Sequence, residues 1–266
     1  MKIVVLGSGG WGTALAVMLA GDKYDVTLWS FLEDEYARLS ADRENKQFLA
    51  GVAFPESLSL TCDMSLAADA DMIVMATPSF AVAGTARALA DIIKPGTIVV
   101  NVSKGIDGKT GKRLSEVVED ELHGSAQVVV LSGPSHAEEV GRGVPTTVVA
   151  ASKSKSAAVA VQDVFMNDRF RVYITPDVIG VELGAALKNV VALCAGICDG
   201  MKLGDNTKAA LMTRGLTEMA RLGVALGGRS ETFAGLAGVG DLIVTCTSMH
   251  SRNRRAGILV GQGLTP

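Results

Sequence analysis

The feature that most constrains this chain is the alternation, up to Thr175, of short β-branched apolar runs with helical stretches. "KIVVLG" reads as a buried strand and "GTALAVMLAG" as the helix after it. "DVTLWS" is a second strand, "LEDEYARLSADRE" an exposed helix and "DMIVMATP" a third strand. A helix near Phe80 to Ile93 precedes further strands at "GTIVVNVSKG", "QVVVLSGPS" and "TTVVAAS". Runs that are apolar throughout belong to strands covered on both faces. Their alternation with helices predicts an α/β fold with a doubly wound, mostly parallel sheet. After "FRVYITPDV" the strand signals stop, and from Asp177 the pattern is helical, broken at "DGMKLGDN", "LGGRS" and "GLAGVGD". The chain is therefore expected to divide into 1–176 and 177–266, the second part all-α.

A length of 266 residues supports a sizeable core in each part. The net charge of −3 argues against a nucleic-acid surface, which needs a clustered basic field. The N-terminus lacks the h-region of a secretory signal, and no apolar run is expected to reach membrane-spanning length, so no stable membrane insertion is expected. Cys62, Cys194, Cys198 and Cys246 form no CxxC pair. Cys194 and Cys198 lie one helical turn apart, but small apolar core positions are the commoner use of free cysteine, so no metal is expected. A reduced, cytoplasmic setting fits these thiols.

"GSGGWG" supplies Gly7, Gly9 and Gly12 at the first strand-to-helix turn. Such glycines permit a tight turn, close backbone approach to a pyrophosphate and close helix packing, and the helix N-terminus offers free N–H groups to the anion. In a doubly wound sheet this predicts a Rossmann-type dinucleotide site. Strand two ends at "LWSFLED" with Ser30 and Phe31 at its tip and Glu33 beyond. With no acid expected against a 2′-phosphate and no Arg to hold one, NADP(H) or NAD(H) should serve, with NADP(H) favoured.

Three further segments are polar where packing does not ask for it. "NVSKGI" puts Lys104 beyond a strand's C-terminal end, the edge at which open α/β sheets bind ligands. "GLAGVGDLIVTC" carries Asp241, and "SMHSRNRRAG" carries Ser251, Arg252 and Asn253, donors suited to a phosphate. Arg254 and Arg255 suit a solvated face equally well.

With "GSGGWGTALA", "SGPSHAEEV" and "ELGAALKNVVALCAGI", these segments make the whole chain resemble the bacterial NAD(P)-dependent glycerol-3-phosphate dehydrogenases. The resemblance implies interconversion of glycerone phosphate and sn-glycerol 3-phosphate for phospholipid synthesis, on a small phosphorylated substrate. It implies Lys188 as catalytic acid/base and places Lys104, Gly133, Ser135, Asp241, Ser251, Arg252 and Asn253 around the substrate. On the cofactor side it implies Gly10, Trp11, Phe31, Lys104, Ala137 and Arg252. Phe31 stands where a basic residue or His is often found. Beyond "GQGLTP" the resemblance leads one to expect further helices and a cofactor-contacting Glu. The helical part should therefore leave apolar faces exposed or covered by a second copy in a homodimer. The alternatives are a related β-hydroxyacid or ketopantoate-type reductase, and an NAD(P) sensor without turnover.

Lys188 itself is conspicuous, a lone ammonium with Asn189 in a helix apolar all round. Burial would lower its pKa from about 10.4, with Asp241 opposing, and Gly184 and Ala192 one turn away would leave room for a ligand. The rival base, His136, reads as a structural residue at a helix start. His123 and His250 have no context.

Overall fold

Strand formation follows the period-two logic of a sheet covered on both faces. In β1 (Lys2–Leu6), Ile3 and Val5 point into one apolar layer while Val4 and Leu6 point into the other. The computed structural model describes residues 1–21 and 24–265. Its sheet also contains β2 (Asp25–Trp29), β3 (Ser59–Thr61), β4 (Met72–Met75), β5 (Ile98–Asn101), β6 (Gln127–Ser132), β7 (Thr146–Ala151) and β8 (Phe170–Thr175). The order is β3-β2-β1-β4-β5-β6-β7-β8, parallel throughout except for the antiparallel β6–β7 pair. The expected fold class is thus present. The sequence reading overlooked β3, a three-residue edge strand too short to show a period.

One face of the sheet carries α1 (Gly10–Gly21) and α6 (Lys155–Phe165), through Leu15, Leu19, Val161 and Phe165. The other carries α3 (Val82–Ala90) and α4 (Leu114–Glu121), through Val82, Leu89 and Val118. The short α2 (Glu33–Asp42) follows β2, and α5 (Ala137–Gly141) lies between β6 and β7. Fully burying such an aliphatic side chain contributes about 1.5–3 kcal/mol, which makes these two layers the main stabilising term. Strand order reverses between β1 and β4, and a crevice at such a reversal is where open α/β sheets hold ligands.

The helical remainder comprises α7 (Val178–Gly200), α8 (Gly204–Ala225), α9 (Ser230–Phe233), a π-helical turn (Leu236–Gly240), α10 (Asp241–Thr247) and α11 (Arg252–Gly261). Asp177 caps α7: one carboxylate oxygen accepts from the Gly180 N–H at 2.9 Å. The other accepts from the Arg229 N–H at 2.9 Å and the Thr232 hydroxyl at 2.5 Å, pinning α9 to the same point. With 23 residues and a mean hydropathy of 1.7 in its most apolar window, α7 is long and apolar enough to cross a membrane. That corrects the expectation that no run reaches such length. The physical reason is burial within the fold, since 61% of that window is covered by protein.

Backbone-to-backbone packing joins α7 to α11. A Cβ added at Gly196 would fall 2.1 Å from the Arg254 carbonyl oxygen, and one at Gly257 would fall 2.1 Å from that of Leu193. Arg254 reinforces the crossing through Asp199 on α7, at 2.8 Å from Nε, so it is an inter-helix tie rather than a solvated residue. In the helical part Val190, Met201, Leu203, Leu222 and Leu226 are exposed.

This crossing gives a direct test. Gly257→Ala improves helix propensity by about 1 kcal/mol, yet its methyl has nowhere to go. Overpacking of this kind costs about 1–3 kcal/mol, so the urea midpoint should fall. A midpoint that stays or rises would show that the two helices are not held at this separation.

Candidate active site

The glycine loop stands at the β1/β4 reversal. Gly7 has φ +112°, a backbone setting that disfavours any Cβ, and a methyl there would meet the Ala76 carbonyl oxygen at 2.8 Å. A Cβ at Gly12 would fall 2.0 Å from the Gly7 carbonyl oxygen, so α1 sits directly on the loop. Gly9 is different, because a Cβ there would meet nothing within 4 Å. The loop therefore closes on two sides and opens at Gly9, at the N-terminus of α1, a cradle that fits a pyrophosphate. Gly10 packs its backbone on the Phe48 carbonyl and on Ala137, the first residue of α5. Trp11 packs on the sheet's core, and its indole N–H is buried without an acceptor among the described residues. Phe31 is exposed at the tip of β2, edge-on to Trp29.

Along the same edge, Lys188 projects from α7 and is 5% exposed, which rules out snorkelling to the surface. Its ammonium donates to Asp241 Oδ1 and, at 2.7 Å, to the Thr245 hydroxyl. Asp241 is 1% exposed and begins α10, where the helix dipole favours a carboxylate. Its second oxygen accepts from Lys104 Nζ at 2.9 Å, and Lys104 also donates to the Gly133 carbonyl at 3.2 Å. Gly133 has φ +148° and accepts as well from the Ser135 hydroxyl at 3.0 Å. Burial, and then the Lys104 ammonium facing it across the shared carboxylate, outweigh Asp241 and bring Lys188 from 10.5 to about 7. An amine with that pKa gives and takes a proton near neutrality.

Ser251 is the buried N-cap of α11, its hydroxyl accepting from the Arg254 N–H at 3.2 Å. Arg252 and Asn253 open the first turn, and the exposed Arg252 has no ion pair among the described residues. No hydrogen bond among the described residues links Arg252 or Asn253 to the Lys188 cluster. His136 Nε2 lies 3.5 Å from the Val244 carbonyl and its ring is 5.6 Å from that of His250, with burial pushing its pKa down. It makes no hydrogen bond to Lys188 or Asp241.

Comparison with known proteins decides the family. The model of the NAD-dependent glycerol-3-phosphate dehydrogenase N-terminus matches residues 2–158, and that of the C-terminus matches residues 177–266. The chain belongs to this family. It is 54% identical over 267 residues to glycerol-3-phosphate dehydrogenase (NAD(P)+) of Fusobacterium nucleatum, covering 100% of this chain and 80% of that one. For the enzyme of the same name from Moorella thermoacetica the identity is 57% over 263 residues, covering 98% and 78%. The crystal structure of glycerol-3-phosphate dehydrogenase from Coxiella burnetii superposes with a TM-score of 0.95 at 42% identity, covering 99% of this chain and 81% of that one.

For a glycerol-3-phosphate dehydrogenase, the arrangement revises several sequence expectations. Gly184 leaves no room for a ligand, because a Cβ there would lie 2.4 Å from the Ala237 carbonyl oxygen; its smallness lets α7 touch the π-helical turn. Ala192 is likewise core. The tip of β2 is not free of acid: Glu35, from the first turn of α2, accepts from the Ser30 hydroxyl at 2.9 Å, and Ser30 contacts Ser8 of the glycine loop at 2.9 Å. Sequence reading stopped at Glu33, two positions short of the residue that turns inward. It also missed Thr245, four residues after Asp241 on the same face of α10, where helical spacing gave a signal. Asn45, which props the loop through the Ser8 carbonyl at 2.7 Å and the Thr13 hydroxyl at 2.9 Å, had no signal at all. No group of three or more His, Cys, Asp or Glu side chains that could hold a metal occurs among the described residues.

Asp241→Asn isolates the electrostatics. Without the carboxylate two ammonium groups face each other, and Lys188 should lose its proton more readily. At pH 7 reduction should slow by about 10²-fold or more, while dinucleotide affinity stays unchanged. Near-normal kcat in this variant would show that the shared carboxylate does not govern the lysine.

Proposed function

We propose that Lys188 is the acid/base of a reversible reduction of glycerone phosphate to sn-glycerol 3-phosphate. The observation that carries this reading is a buried ammonium brought to about 7 beside the crevice edge. Gly7, Gly9, Gly10, Trp11 and Gly12 would hold the dinucleotide at its pyrophosphate, and NAD(P)H so bound would supply the hydride, or NAD(P)+ would take it up in reverse. Lys188 then donates its proton to the carbonyl oxygen as that oxygen gains electron density, and recovers it during oxidation. Asp241 and Thr245 hold the ammonium in place, and Lys104 keeps its proton labile. Gly133 and Ser135 border the substrate beside Lys104, and Phe31 and Ala137 lie on the dinucleotide side. The free N–H groups at the start of α11, with Ser251, Arg252 and Asn253, suit a phosphate dianion. Arg252, exposed and without an ion pair among the described residues, is the side chain best free to reach both phosphate and cofactor.

On this reading residues 1–176 bind the dinucleotide and 177–266 bring the substrate groups. The product supplies phospholipid synthesis. The four unpaired cysteines support a cytoplasmic setting, and the exposed apolar side chains of the helical part support a homodimer. Glu35 near the β2 tip supports use of NAD(H) beside NADP(H).

Two measurements test the assignment. Because reduction needs Lys188 protonated, its kcat should be level at low pH and fall as pH rises through about 7, while oxidation rises through the same pH. Lys188→Met should bind NADPH normally and lose about 10²–10⁴-fold in kcat, with His136→Ala far less affected. The reverse ranking would make the histidine the base, and binding without turnover in the native chain would make it a sensor.

The phosphate contact is tested separately. Arg252→Ala removes a charge-assisted contact worth about 1.5–3 kcal/mol. The loss should appear in KM for glycerone phosphate and be absent for dihydroxyacetone, which has no phosphate. Equal KM values in variant and parent would remove Arg252 from the site.

A further inference from the structure

A second buried charge pair links the elements that carry the lysines, at a distance from the crevice. Glu182 lies on α7, six residues before Lys188, and is 4% exposed. Three donors from one short segment converge on its carboxylate: the Ser115 N–H at 2.8 Å, the Ser115 hydroxyl at 2.5 Å and the Arg113 guanidinium at 2.6 Å. The first of these is an otherwise free N–H at the start of α4, so α7 supplies the cap of a helix belonging to the sheet layer. Burial raises the Glu182 pKa even with these donors, and a pair of this kind gives little net stability compared with apolar packing. Its better-attested use is to fix registry.

The connection between β5 and α4 shows what is being registered. It leaves the sheet at Asn101, passes Lys104 and turns back to Arg113. Ile106 pairs with Arg113 across an antiparallel bridge, and Asp107 N–H donates to the Lys112 carbonyl at 2.9 Å. Arg113 is thus tied to a residue two positions after Lys104. Holding Arg113 and Ser115 on Glu182 holds the Lys104 end of the same loop against α7.

We propose that Glu182, Arg113 and Ser115 are positioning residues that fix the Lys104 loop against α7, so that the Lys104 and Lys188 ammonium groups share Asp241. The inference rests on the reading of Lys188 as the acid. The groups facing Lys188 are Asp241 and Cys246 from α10, Lys104 from the loop and His136 from the start of α5. Those facing Glu182 are Arg113 and Ser115. Of these, Lys104 is the like charge whose distance the Glu182 contact sets. If the loop loosens, Lys188 loses that repulsion and holds its proton to higher pH.

The test uses Glu182→Gln, which keeps the side chain's shape and removes its charge. The basic limb of the reduction profile should move to higher pH, so that above pH 7 the variant keeps a larger share of its low-pH kcat than the parent does. Lys104→Met should move the limb in the same direction, and adding Glu182→Gln to it should give no further movement, as expected for two changes acting on one interaction. A titration of Lys188 by NMR on isotope-labelled lysine, assigned by the signal's absence in Lys188→Met, reads the same shift without turnover. It therefore separates failure of this inference from failure of the catalytic assignment. Should Glu182→Gln not fold, Ser115→Ala retains the backbone donor and Arg113 and should show a smaller shift of the same sign. The proposal is overturned if the folded variants lose stability but leave the Lys188 titration in place, or if Glu182→Gln shifts it equally with Lys104 absent.

Discussion

Everything at the crevice edge depends on one buried carboxylate holding two ammonium groups. Desolvating an ammonium is costly, and Asp241 offsets that cost for Lys188 while admitting Lys104 on its other oxygen. The three side chains come from three elements, α7, the β5–α4 connection and α10, so the ion cluster is also one of the points at which the helical part meets the sheet layer. It stands there beside the Glu182 contact and the apolar packing of Val130 and Ala151 on Val178 and Val181. With both lysines protonated it carries one excess positive charge, +2 − 1. That excess makes Lys188 an acid of useful strength and favours an anionic ligand nearby.

The parts of this arrangement that were legible in the sequence are those set by local spacing. Continuous apolar runs gave the sheet, a glycine triplet between strand and helix gave the loop, and a lone Lys in an apolar helix stood out against its neighbours. The illegible parts are pairings between distant segments. Lys104 meets Asp241 across 137 positions, and Glu182 meets Ser115 across 67; neither has a periodic signature. The role of Gly184 was misread for a related reason. Smallness in a helix signals close approach of something, and sequence does not say whether that is a ligand or a carbonyl such as that of Ala237. The β7 direction was equally hidden, since an antiparallel strand with both faces covered has the same apolar run as a parallel one.

On the dinucleotide side, a hydroxyl relay runs from the Glu35 carboxylate through Ser30 to Ser8. It couples the tip of β2 to the glycine loop by side chains rather than by backbone. Asn45 closes the circuit from below by binding the Ser8 carbonyl. The loop's shape is therefore fixed before any anion arrives, which limits the ordering cost of binding.

The glycine-to-carbonyl crossing of α7 and α11 has a consequence for what the crevice accepts. Lys188 rides on one helix and Arg252 on the other, and at the contact no side chain lies between them. Interfaces made of side chains adapt by changing rotamer; one made of main chain has no such freedom. Given the roles proposed for these two residues, the pair of helices acts as a calliper. Its jaws start from one fixed backbone spacing, so a homologue longer by one methylene can be met only by movement of the exposed Arg252 side chain and not by any shift between the helices.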